Sequence, residues 1–105
     1  MSVDEPRDAH YALLRSTLDA AFEQASAGKG RERHANGRPF DRQPIMEIGR
    51  MVGPGYATGQ AMKKSQEALG MLSRGERDAA VRELLGAIIY TAAAVLLIEE
   101  GAANG

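Results

Sequence analysis

The chain has 105 residues, no cysteine and a formal net charge of −1. That length allows one domain, 1–105, and the absence of thiols excludes a disulfide framework and thiolate chemistry. The polar, acidic start MSVDEPRDAH holds no apolar run of the kind a secretory leader carries, so a cytoplasmic protein is expected.

The charge is unevenly spread. Residues 28–64 hold eight basic side chains against three acidic ones, a local +5, and the remainder of the chain carries −6. A basic middle between acidic flanks points to an anionic partner for the middle, or to docking of the middle on the chain's own carboxylates.

A first helix is expected over Pro6 to Ala27. Asp4 or Glu5 precedes the proline as a cap, and Tyr11, Leu14, Leu18, Phe22 and Ala25 recur at spacings of three and four. Gly28 suits the left-handed stop after the last turn. From Gly28 to Gln43 no period survives, since glycines, Asn36-Gly37 and Pro39 interrupt it. Asn36-Gly37 favours a tight turn, and a small hairpin around it is one option. Pro44 opens a short second helix, PIMEIGRMV, which Gly53-Pro54-Gly55 ends. A third helix follows from Tyr56 to Leu72, then a turn over residues 73–76.

The fourth helix is expected from Glu76 to Glu100. Its stretch LLGAIIYTAAAVLLI, residues 84–98, is apolar nearly all round. Such a run spans roughly 22 Å as a helix, short of a hydrocarbon core of about 30 Å, so a buried central helix is expected and not a membrane span. A helix apolar on every side cannot be covered by one short partner, so a homo-oligomer is expected, the alternative being that the other three helices wrap it completely. The fold class is therefore all-α: a small bundle of about four helices around an apolar C-terminal helix, with a glycine-rich basic loop. Residues 1–5 and 101–105 are expected to fray.

Phosphate binding is the chemistry this pattern suits best. Guanidinium forks match phosphate oxygens, and helix starts offer unpaired N–H groups. The loop supplies Arg31, Arg33, Arg38 and Arg42, with His34 beside them. Gly53-Pro54-Gly55 leads into a helix whose Gln60, Lys63 and Lys64 follow within two turns. Phe40 or Tyr56 would stack on a base, and Gln43 or Gln60 would read its edge. Neither a Walker loop nor a dinucleotide fingerprint is present. No metal ligand or cofactor is assigned: His10 and His34 are far apart, and the inner part of the last helix carries no acid. No catalytic residue is assigned either. The overall charge suits a compact anion better than a long nucleic acid.

The segments RERHANGRPFDRQPI, GQAMKKSQEAL and ELLGAIIYTAAAVLLIEE resemble those of small helical proteins carried by bacteriophages and prophages. The resemblance covers somewhat under half of the chain and implies a phage setting, where compact oligomeric helical proteins act as counter-defence factors. One such class sequesters cyclic nucleotide signals. With the residues above, the expectation is non-enzymatic sequestration of a small phosphorylated ligand, a nucleotide or cyclic nucleotide, in the host cytoplasm. Two alternatives stay open. One is a Mg²⁺-dependent nucleotide pyrophosphohydrolase-like bundle using Glu76, Asp78 or Glu83. The other is a protein-interaction inhibitor of a host defence protein.

Overall fold

The computed structural model describes residues 5–27 and 37–104. The described residues form five α-helices and one 3₁₀ turn and no strand, the all-α class expected from the periodicity. The helices are α1 (Glu5–His10), α2 (Ala12–Ser26), α3 (Pro44–Val52), α4 (Gly55–Ser73) and α5 (Arg77–Asn104), and the turn is Phe40–Arg42.

The first expected helix is two. Tyr11, at φ −111° and ψ 15°, leaves helical geometry and separates α1 from α2. The stop also falls earlier than Gly28: α2 ends at Ser26, and Ala27 is extended at φ −133°. Asn36 lies outside the described residues, so the hairpin option does too. Gly37, its neighbour, has φ +76°, a left-handed turn geometry that glycine adopts without strain.

The second helix has the bounds its sequence sets. Gln43 is extended, Pro44 fills the first helical position where its missing N–H costs nothing, and Gly53 at φ +96° ends the helix. The α4–α5 turn is a Schellman motif. Gly75 at φ +77° donates its N–H to the Leu72 carbonyl at 3.0 Å, and Glu76 donates to Met71 at 2.8 Å. The chain then reverses, so α4 and α5 run antiparallel. α5 continues through 28 residues to Asn104, beyond the fraying expected at 101.

The antiparallel pair is held by small residues. Ala57 and Ala68 of α4 and Ala80, Ala87, Ala93 and Ala94 of α5 are buried, which lets the two backbones approach closely. At one end, Met46, Ala57, Ala93 and Ala94 form the core cluster, with Phe40, Ile45, Tyr90 and Leu97 packed around it. α3 rests on α5 through Gly49, where a Cβ would run into the Leu97 side chain. Arg50 adds a two-pronged ion pair across the same contact, donating Nε to Glu100 at 2.8 Å and Nη2 at 2.9 Å. That pairing holds the Glu100 carboxyl below the usual carboxylate range, chiefly through the hydrogen bond. α2 docks more lightly. Ala21 is its buried residue, and Gln24 donates Nε2 to the Arg82 carbonyl at 3.0 Å.

Candidate functional site: a groove with an arginine rim

Between α2, α5 and the segment before α3 lies an apolar groove of about 680 Å³. Its walls include Leu18, Ala21 and Phe22 of α2 and Ile88, Ile89, Ala92 and Leu96 of α5. Residues 37–40 and Gln43 close one end. The volume falls within the range of small-molecule sites, about 300–1,000 Å³, and so does the apolar lining with few polar groups.

Three of the expected site residues meet at that end. Arg38 is exposed on the rim. Phe40 is half-buried: it packs on the core cluster and also lines the groove, so one ring both anchors the segment and offers an apolar wall. Gln43 is buried and donates its Nε2 to the Arg38 carbonyl at 3.0 Å. Its amide N–H therefore braces the rim instead of facing a ligand. Arg42, one residue earlier, is exposed beside this end and close enough to Glu100 to help lower its pKa. Neither Arg38 nor Arg42 forms an ion pair among the described residues. Arg31, Arg33 and His34 lie outside the described residues.

The other expected residues gather elsewhere. At about 100° per residue along a helix, Glu83 and Tyr90 lie about 130° round α5 from the side formed by Ile89, Ala92 and Leu96. There Tyr56 meets Tyr90 edge-on, with ring centroids 6.1 Å apart and planes at 78°. The Lys64 ammonium sits 5.8 Å from the Tyr90 ring centroid and 3.7 Å from Glu83. Gly86 makes room for this, since a Cβ there would press on the Lys64 stem at 3.0 Å. Burial pushes the Tyr90 hydroxyl up to about 12, with Tyr56 adding to the shift. Lys63 pairs with Glu67 at 3.8 Å on the exposed side of α4, and Gln60 is half-buried on the same helix.

The +5 segment thus splits. Arg50, Lys63 and Lys64 answer carboxylates of the chain itself, whereas Arg38 lines the groove and Arg42 is exposed within electrostatic reach of Glu100. Of the acids weighed for a metal, Glu83 faces Lys64 and Glu76 accepts from Arg74 at 3.0 Å. Among the described residues no three His, Asp or Glu side chains converge on one point.

Comparison with protein families, curated proteins and solved structures finds no match for this chain.

Sequence reasoning missed the groove walls. Ile89, Ala92 and Leu96 read as core in an apolar run, and nothing in that run marks which side stays open. The available signal was on α2, whose stripe carries more large apolar residues than one docking helix covers.

Proposed function

We propose that the protein captures a small phosphorylated ligand with a flat, weakly polar body, a nucleotide or cyclic nucleotide, and holds it without turning it over. The observation that carries this reading is an apolar groove with Arg38 in its lining and Arg42 next to its buried Gln43 in the chain, neither in an ion pair among the described residues. The ligand's body would lie on Phe40, Leu18, Ile89 and Leu96. Its phosphate would take the guanidinium groups of Arg38 and Arg42, whose forks suit bidentate contact. Arg31, Arg33 and His34 precede this rim in the chain and would add to it. Tyr56, Lys63 and Lys64 have no part in this reading, because their partners lie within the α4–α5 pair, and neither has Gln60, which lies on α4 outside the groove lining. In the phage setting that the resemblance implies, such a protein would withdraw a signalling nucleotide in the host cytoplasm.

Native mass spectrometry with a panel of linear and cyclic nucleotides, with Mg²⁺ present, tests the reading. The expected result is a stoichiometric complex that releases unaltered nucleotide on heat denaturation. Charge reversal of the rim, Arg38→Glu with Arg42→Glu, is expected to abolish that complex while the far-UV circular dichroism stays helical. A panel with no binder at micromolar protein, or products that appear only with Mg²⁺, would overturn it.

A further inference from the structure

The α4–α5 pair has a second exposed face, which meets the groove at Ile88. On α4, Thr58, Met62, Ser65, Leu69 and Leu72 follow one another at steps of four, three, four and three. On α5, Val81, Leu84, Ile88, Thr91, Val95 and Ile98 step by three, four, three, four and three. Each series keeps a strict seven-residue repeat, the spacing of a seam that packs against another helix. No charged residue belongs to either series. Because the helices run antiparallel and α4 turns Tyr56 and Lys64 to the Tyr90 side, helical phase brings both seams to the opposite side of the pair.

Among the described residues most of these side chains are exposed, with Ser65 and Ile88 partly buried. Met62 is 73% exposed, Leu69 67%, Ile98 61% and Val95 49%. Leu72, Val81 and Leu84 are exposed as well, so seven large apolar side chains stand open on this one face, and a contiguous apolar patch of that kind marks an interaction surface.

We infer that this face docks on the same face of a second copy, giving a four-helix bundle from two antiparallel pairs. The occupant is a second copy because the face is self-complementary: both seams are uncharged, set apolar residues among Ser and Thr and keep the same repeat, and the antiparallel pair already has the geometry of half a bundle. Ile88 also lines the groove, so in this arrangement the dimer face borders the groove along that residue. The inference does not rest on the proposed ligand.

Sedimentation equilibrium of the full chain at tens of micromolar tests it. The expected mass is twice the 11.2 kDa of one chain. Leu69→Glu with Val95→Glu is expected to weaken association at least about a hundredfold, since the dimer would have to bury unpaired carboxylates. Leu14→Glu, on α2, is expected to leave the mass unchanged. A conservative pair guards against loss of folding. The chain has no cysteine, so Thr91→Cys and Lys63→Cys each provide one thiol. Maleimide labelling at Thr91→Cys is expected to slow as protein concentration rises, and labelling at Lys63→Cys is not. A monomeric wild type, dissociation by the α2 variant alone, or concentration-independent labelling at both thiols would overturn the inference. Monomeric protein that floats with phosphatidylcholine vesicles would also overturn it and assign the face to lipid.

Discussion

The α4–α5 pair and the N-terminal arm solve the same problem differently. Both carry apolar residues at helical spacing, yet the pair buries alanines along its length, whereas α2 buries Ala21 alone and leaves Leu14, Leu18 and Phe22 exposed. Small residues allow close backbone approach, so dispersion contacts accumulate along the whole seam. Large residues on α2 hold it off α5 and leave the groove between them. Burial by small side chains makes this scaffold, and exposure of large ones makes its surfaces for other molecules.

Substitutions break or sharpen that contrast. The largest effect is expected at Met46, which is 1% exposed in the core cluster. Met46→Ala leaves a cavity and should lower the unfolding free energy by about 2–5 kcal/mol in urea denaturation. Ala93→Leu comes next. It forces a larger side chain into a fully buried seam position, and a loss of about 1–3 kcal/mol is expected, read in the same way. Phe22→Ala is expected to change stability by no more than about 0.5 kcal/mol, because the ring is 67% exposed. A loss as large as that of Met46→Ala would mean that α2 is part of the core. These comparisons belong at one protein concentration, since association would add to apparent stability.

The smallest effect concerns the clasp between α3 and α5. Folding lowers the Glu100 pKa, through the Arg50 hydrogen bond first. Its contribution is therefore fully present above the unfolded carboxylate value of about 4.3 and is lost as pH falls through the lower folded value. Glu100→Gln should flatten the acid limb of a stability–pH curve by lowering stability near neutrality while leaving it unchanged below the folded pKa. An acid limb identical to that of the wild type would show that the clasp carries no pH dependence.

Helices were legible wherever a stop signal and a period agreed. Pro44 and Gly53 bound α3, and Gly75 ends α4 in a left-handed turn, because proline and glycine act through their own backbone geometry. The break at Tyr11 was not legible, since no proline or glycine marks it. The candidate site was legible in part. Arg38, Phe40 and Gln43 do meet at one place, and adjacency in sequence was enough to find them. Tyr56 and Lys64 were assigned to the same site on residue type, and the structure puts them on another side of α5.

The sequence by itself determined the all-α class, most helix boundaries and the gathering of positive charge in residues 28–64. Those properties follow from local geometry and from counting. Tertiary structure decided which cations keep an internal partner. Lys64 meets Glu83 only because Gly86 lets its stem cross α5, and Arg50 meets Glu100 only because Gly49 lets α3 settle on Leu97. It also decided which side of a uniformly apolar helix stays open. An apolar run has no inherent inside, and the positions of its neighbours assign one.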